Sequence, residues 1–278
     1  MSAISAQDKQ AELGYKPITG LMVRMAVPGI IAQVINILYS IIDRIYIGHI
    51  PGVGADALTG VGLTFPIITF VSAFAMIVGA GGAPLAAIAL GKKDRGEAEK
   101  ILGTGVFLLA CFAAGIMVVF YLWKRPLLRM FGASDATIGY SDAYISIYLI
   151  GTISVLLYMG LNQYIIAQGK SVTAMFSVGI GAVLNLILDP VFIFVFGLGV
   201  QGAAIATVLS QTASALWVVR TLTNKNASLT LRPALIRPRK KEIQEITALG
   251  VSPFIMSSTE SLISIVINRG LYMYGGDL

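Results

Sequence analysis

The chain has 278 residues, of which 56% are hydrophobic and 12% charged, and its formal net charge is +6. Because a soluble domain carries about 25% charged residues, this chain has too few to cover a water-facing surface. The composition excludes an ordinary soluble domain and predicts a protein of the lipid bilayer.

Seven apolar segments follow one another along the chain, and each supplies the ~20 residues that a membrane helix needs. The thirty glycines fit close helix–helix packing in lipid. The sequence therefore predicts an all-α membrane protein with seven spans. They lie near 25–48, 61–90, 101–123, 144–168, 172–196, 200–222 and 246–274.

Lys and Arg residues are distributed unevenly between the loops. If the N-terminus is cytoplasmic, fifteen lie inside and three outside, the latter being Lys124, Arg125 and Arg129. This positive-inside bias predicts a multi-pass protein of the cell membrane with a cytoplasmic N-terminus. It also explains the net positive charge without nucleic acid as a partner. The polar stretch Met1–Lys16 is predicted to be a cytoplasmic tail and not a signal peptide.

Residues 223–242, which hold two prolines and six basic residues, are predicted to form a cytoplasmic linker. When the sequence is aligned with itself at an offset of 225 residues, Pro28 matches Pro253. Span 7 is therefore predicted to repeat span 1. We therefore expect one six-helix transporter lobe over 1–222 and the first helix of a second, repeated lobe over 243–278. The missing second lobe is the expected partner, and span 7 should pack loosely against the first.

Ionisable side chains inside lipid are costly and are candidates for function. Counted from the outer helix ends, Asp43 in span 1, Asp189 in span 5 and Thr207 in span 6 lie at a similar depth. Asn185 shares a helix face with Asp189. Two carboxylates in a partly desolvated cavity should bind a proton, or a sodium ion with Asn and Thr oxygens as further ligands. Alternatively, Asp43 is interfacial, Asp189 accompanies a kink at Pro190, and Thr207 bonds its own helix.

Span 1 carries a polar stripe at helical spacing, which predicts a face turned toward a cavity. Tyr39, one turn before Asp43, could supply an aromatic wall. Pro28 is either a hinge or a static kink. The sequence does not indicate a role for Glu260 or Arg269 in span 7. The stripe consists of Gln33, Asn36, Ser40 and Asp43.

His49 is the only histidine and Cys111 the only cysteine of the chain. This excludes His-cluster metal sites, Ser-His or Cys-His catalysis, and a disulfide within the chain. The sequence therefore predicts a protein that is not an enzyme and has no cofactor except a coupling ion.

Several motifs resemble the multidrug and toxic compound extrusion (MATE) transporters. The strongest is Leu184-Asn185-Leu186-Ile187-Leu188-Asp189-Pro190, and the others are segments 41–48, 64–67, 89–94 and 202–207. The resemblance implies two six-helix lobes that export cationic or amphipathic small molecules in exchange for protons or sodium.

The resemblance also implies that Asp43, Asn185, Asp189 and Thr207 form the ion site of the first lobe. Tyr144 and Asn162 match polar residues of that lobe's network, although the depth of Asn162, seven residues from the turn at Gly169, places it away from the others.

Three alternatives remain at this point, the simplest being a truncated chain that inserts into the membrane without a function of its own. A lipid or polysaccharide flippase of the same superfamily needs a cationic cavity for its anionic carrier, whereas this cavity is expected to be acidic. A seven-helix receptor or sensor fits the number of spans, but a retinal protein needs a Lys in its last span, and span 7 has none.

Overall fold

The computed structural model describes residues 18–224 and 227–275, so the N-terminal tail and the last residues of the sequence repeat lie outside it. Within this part the chain forms nine α-helices. They are α1 (Ile18–Gly48), α2 (Gly54–Gly62), α3 (Phe65–Gly91), α4 (Arg95–Met130), α5 (Ile138–Ile150), α6 (Thr152–Ala167), α7 (Ser171–Pro190), α8 (Gly199–Thr223) and α9 (Lys240–Gly275), with a π-helical turn at Val191–Val195 and a 3₁₀ turn at Pro233–Leu235.

The predicted spans are confirmed as helices that could cross a membrane. Six are continuous by length and composition in the described residues, and α5 with α6 makes a seventh that bends by 59°. The bend lies at Gly151, where an added Cβ would lie 2.6 Å from the Val208 side chain of α8. A glycine at this point lets two helices approach closely, as is common in lipid.

The second span is longer than predicted and begins with the short helix α2. Thr64 lies between α2 and α3 and donates a hydrogen bond from its hydroxyl to the Val61 carbonyl at 2.7 Å. Pro66 then lies in the first turn of α3, where its missing N–H costs nothing.

The bundle is built around α3, which packs against α4, α6 and α9, whereas α1 packs mainly on α7. Large apolar side chains along α1 point outward, including Ile30, Ile37 and Ile45. In lipid such side chains need no protein partner, since the surrounding acyl chains are themselves apolar.

The expectation that span 7 packs loosely is wrong. A Cβ on Gly250 of α9 would lie 2.1 Å from the Ile77 carbonyl oxygen of α3, so the two backbones are in direct contact. Farther along, Phe254 packs against Phe74 with ring centres 5.0 Å apart. Ser261 donates its hydroxyl to the Pro66 carbonyl at 2.7 Å. The other faces of α9 remain exposed.

The predicted linker is held against the first lobe by buried side chains and by charge. Leu229 is fully buried, and its N–H donates to Gln168 Oε1 at 3.3 Å. The Glu99 side chain on α4 is only 3% exposed and binds the Nε atoms of Arg95 and Arg232 at 2.9 Å each. Arg232 belongs to the linker, so this carboxylate fastens the linker to α4.

Replacing Glu99 by Gln should release the linker. The buried carboxylate holds two guanidinium groups through charge-assisted bonds, and losing one partner of such a contact costs on the order of 1–3 kcal/mol. Tryptic cleavage after Arg239, which is the linker arginine not followed by a proline, should accelerate by about tenfold, since 1.4 kcal/mol is a factor of ten. The matched control is Glu245→Gln, because Glu245 contacts Lys241 only at 3.9 Å. Equal cleavage of both variants would show that Glu99 does not hold the linker.

Candidate ion-coupling site

The structure brings Asp43 and Asp189 together. Asp189 on α7 is fully buried and Asp43 on α1 is half-buried. Their carboxyl groups lie close enough to interact electrostatically. Asn185, 2% exposed, donates its amide Nδ2 to Asp189 Oδ1 at 3.1 Å. The i, i+4 spacing on α7 places these two side chains on the same face.

One oxygen of each carboxyl group is buried without a hydrogen-bond donor in the described residues: Asp43 Oδ1 and Asp189 Oδ2. Carboxylates only accept hydrogen bonds when ionised, so two facing carboxylates cannot satisfy each other. A proton held by the pair would supply the missing donor, and a bound cation would supply positive charge.

The backbone at this site departs from a regular α-helix. Pro190 has no N–H to donate, and the chain widens into the π turn Val191–Val195 directly after Asp189. A Cβ on Gly202 would lie 2.6 Å from the Phe192 carbonyl oxygen, so α8 begins in contact with this turn. π-helical turns within α-helices are frequent at functional sites.

Two tyrosines complete the polar surroundings. Tyr144 lies beside Thr207, and Tyr39 lies beside Gln211. Thr207 is 9% exposed and Tyr144 4%. The predicted residues Asp43, Asn185, Asp189, Thr207, Tyr39 and Tyr144 therefore converge in one region.

A narrow cavity between α1, α6, α7 and α8 extends this region. Its free volume is about 10 Å³, at the lower limit for one water molecule. The predicted residues among its lining are Asn36, Tyr39, Asn185 and Thr207, and the lining also includes Tyr158, Ser210, Gln211 and Ser214.

The sequence analysis missed four of these lining residues, namely Tyr158, Ser210, Gln211 and Ser214. Hydroxyl groups in membrane helices commonly bond their own backbone, as Thr212 does to the Val208 carbonyl at 2.7 Å. A signal was nevertheless present in the sequence, because Gln211 lies four residues after Thr207 and therefore on the same face of α8.

Three other predicted residues, Pro28, Gln33 and Asn162, lie apart from the carboxyl pair, whereas Ser40 lies one helical turn from Asp43 on α1. Gln33 is exposed on α1, Ser40 is half-buried, and Pro28 is buried within the helix. Asn162 on α6 accepts a hydrogen bond from the Ser177 hydroxyl at 2.9 Å and donates to the Ala174 carbonyl at 3.4 Å. It therefore lies toward the Gly169 turn, at the depth that its sequence position indicates.

Arg44 stacks on an aromatic ring, and its charge still acts on the neighbouring Asp43. Its guanidinium lies over the Phe65 ring, 5.2 Å from the ring centre. Adjacent residues point about 100° apart on a helix, which allows Asp43 and Arg44 to face different surroundings.

Within residues 18–224 and 227–275, no group of three or more His, Cys, Asp or Glu side chains could hold a metal ion. A cation at this site would therefore rely on two carboxylates and on neutral oxygens such as those of Asn185 and Thr207. Neutral oxygens and carboxylates are the ligands that hard cations take in proteins.

Comparison with known proteins agrees with this architecture. A family model, MatE, matches residues 28–191, from the middle of α1 to the start of the π turn. The multidrug export protein MepA of Staphylococcus haemolyticus is 27% identical over 254 residues, which are 91% of this chain and 56% of MepA. The chain thus spans little more than half the length of the curated relatives that it matches.

Solved structures give the same result for the fold. The inward-facing conformation of a multidrug resistance MATE family transporter superposes with a TM-score of 0.82 at 24% identity, covering 92% of this chain and 58% of that chain. The outward-facing conformation of a MATE family transporter also gives 0.82 at 24% identity, covering 92% and 56%. The chain therefore shares the fold of slightly more than half of these structures. The chain belongs to the multidrug and toxic compound extrusion family.

Proposed function

We propose that this chain forms the ion-coupling lobe of a drug:proton or drug:sodium antiporter that exports cationic or amphipathic compounds across the cell membrane. The observation that supports the proposal is the facing pair Asp43 and Asp189, each with a buried oxygen that lacks a donor.

Antiport requires that the coupling ion and the drug exclude each other. Two ionised carboxylates close together in a medium of low dielectric repel each other strongly. A proton, a sodium ion or the positive charge of a drug relieves this repulsion, and one bound cation weakens the binding of the next. The pair therefore acts as a single site for which ion and drug compete.

Full burial favours Asp189 as the proton carrier, because burial penalises the ionised form most where water is most completely excluded. Asp43 is half-buried, so its ionised form is penalised less by loss of water. We assign it the role of an electrostatic partner that raises the affinity of the site for a cation.

Transport by alternating access needs a second lobe that moves against this one. The helix ends near Lys92, Lys170 and Arg220, together with the basic linker, are assigned to the cytoplasmic side by the positive-inside pattern.

The pair Asp43 and Asp189 also argues against the flippase alternative. An anionic lipid carrier would meet two carboxylates at this site, and like charges at close range cost energy. A cationic compound would instead be attracted to them.

The proposed competition can be tested by binding of a cationic fluorescent dye to the chain in lipid nanodiscs, over a range of pH and sodium concentrations. If one proton competes with the dye, the dye dissociation constant should rise by up to about tenfold for each unit of acidification. Added sodium should weaken dye binding if sodium is the coupling ion. A dissociation constant that depends on neither pH nor sodium would refute the proposal.

A further inference from the structure

An open groove lies where the end of α1 meets α2. Its volume is about 320 Å³, at the lower end of the range for pockets that hold small molecules. One wall is a single face of α1, because its four lining residues follow the i, i+3, i+4, i+7 spacing of a helix face. The groove is lined by Ile41, Arg44, Ile45, Gly48, His49 and Leu58.

The Arg44 guanidinium in this groove is available to a ligand. It stacks on the Phe65 ring, an arrangement that leaves the N–H groups at its edge unobstructed. Within residues 18–224 and 227–275 it forms no hydrogen bond or ion pair, and Asp43 acts on it only through its charge. A guanidinium has five N–H donors, and a charge at a lipid-exposed surface needs a partner. An anion therefore fits this position.

An exposed apolar stripe continues from the groove along α1. Val34, Leu38, Ile41 and Ile45 follow one another at steps of four, three and four residues, so they share one helix face, and all four are exposed. The stripe is eleven residues long, which corresponds to about 17 Å at 1.5 Å per residue. One leaflet supplies about 15 Å, half of the ~30 Å hydrocarbon core. The stripe therefore matches the length of an acyl chain in one leaflet, with the charged groove at its headgroup end.

The charge of Arg44 favours a lipid over other apolar partners. A helix from a second copy or from the missing lobe would cover the stripe, but it would also remove Arg44 from water, and an unpaired buried charge is costly. A phospholipid supplies an acyl chain and a phosphate in one molecule, and a phosphate binds a guanidinium through two parallel hydrogen bonds. His49 adds a neutral acceptor, because its Nδ1 donates to the Ile45 carbonyl at 2.7 Å and leaves Nε2 for a headgroup hydroxyl.

We propose that this groove binds an anionic phospholipid, with the phosphate on Arg44 and one acyl chain along the stripe from Ile45 to Val34. A headgroup such as that of phosphatidylglycerol fits, since it carries hydroxyls and no positive charge. The ammonium of a zwitterionic headgroup would be repelled by Arg44. Because Arg44 also acts on Asp43, a bound phosphate would offset its charge beside the ion site, and this consequence alone rests on the proposed function.

The test is the dissociation constant of phosphatidylglycerol, measured by mass spectrometry of the intact chain with bound lipid after titration in detergent. Phosphatidylcholine is the zwitterionic comparison, and the wild type should bind it more weakly. Arg44→Gln should raise the dissociation constant of phosphatidylglycerol by about tenfold, as expected for the loss of a charge-assisted contact, and leave that of phosphatidylcholine unchanged. Arg44→Lys should lose less, because the charge remains and only the paired hydrogen bonds are lost.

Gly48→Leu is the second variant, because it keeps Arg44 and places a side chain in the groove. An added Cβ at Gly48 meets only Leu58, at an ordinary contact distance of 3.6 Å. This variant should also bind phosphatidylglycerol more weakly. The matched control is Arg129→Gln, the same change at the same side of the membrane, where Asp135 already pairs with the guanidinium at 2.9 Å. It should bind both lipids as the wild type does.

Equal phosphatidylglycerol binding by the wild type and Arg44→Gln, or equal binding of the two lipids by the wild type, would overturn the lipid site. A wild-type dimer that Gly48→Leu separates would assign the groove to a second copy of the chain. Loss of the Arg44 effect in a complete transporter containing these residues would assign the groove to the second lobe. Either result would refute the lipid site and leave the proposed function of Asp43 and Asp189 intact.

Discussion

Replacing Asp189 by asparagine is expected to reduce ion-driven efflux of a cationic dye on the order of 100-fold, the scale of losing a group that transfers a proton. Asparagine has nearly the same shape as aspartate, so packing against Asn185 should persist. It cannot take up a proton at physiological pH or supply negative charge. The measurement is dye efflux from vesicles that carry a complete transporter containing these residues, driven by a proton or sodium gradient.

Asp43→Asn should retain partial activity, because the fully buried Asp189 remains able to bind the ion. The matched control is Asp56→Asn, the same chemical change at an exposed residue in the first turn of α2. It should transport at the wild-type rate. Wild-type rates in both Asp43→Asn and Asp189→Asn, with unchanged pH and sodium dependence, would contradict the assignment of the ion site.

The largest effect on stability is expected from Gly250→Leu. A side chain at this position would collide with the Ile77 carbonyl of α3, which is backbone and cannot rotate away. The facing glycine, Gly81, is equally close, since its added Cβ would lie 2.2 Å from the Ile246 carbonyl oxygen. The two helices would have to separate, and we expect a loss of about 3 kcal/mol, the upper part of the range for overpacking.

The measurement is thermal unfolding of the purified chain, together with the rate of proteolytic cleavage within α9. Gly270→Leu is the control on the same helix, because an added Cβ there has nothing within 4 Å. It should leave both values near those of the wild type. If Gly250→Leu unfolds at the same temperature as Gly270→Leu, the contact between α3 and α9 does not stabilise the protein.

Much of the architecture follows from the composition alone. Long apolar segments must be helical in lipid, where every backbone polar group needs an internal partner, so the seven spans could be counted directly. The convergence of Asp43, Asp189 and Thr207 could be predicted because helix rise is constant and short loops fix the level of each helix end.

Features that depend on contact between helices could not be predicted in the same way. Apolar residues surround α9 on all sides, and lipid and protein neighbours select them equally, so the face that meets α3 is not marked by hydrophobicity. Gly151, Gly181 and Gly250 look alike in the sequence, yet each is required by a different neighbour.

The contacts of the linker could not be predicted from the sequence either. Its prolines and basic residues are typical of an exposed connection. Only the structure shows that Glu99, which appears in the sequence as an ordinary charged residue at a helix start, is buried beneath Arg232.

The measurement that tests the central claim most directly is the number of protons released when the cationic dye binds, read with a pH indicator in weakly buffered, sodium-free solution. If dye and proton compete for the Asp43–Asp189 pair, binding should release up to about one proton per dye from the wild type and none from Asp189→Asn. If sodium is the coupling ion, dye binding in a parallel experiment with added sodium should displace sodium in the same ratio, read with a sodium-selective electrode. Dye binding that releases neither ion across the physiological pH range would contradict exchange at this site.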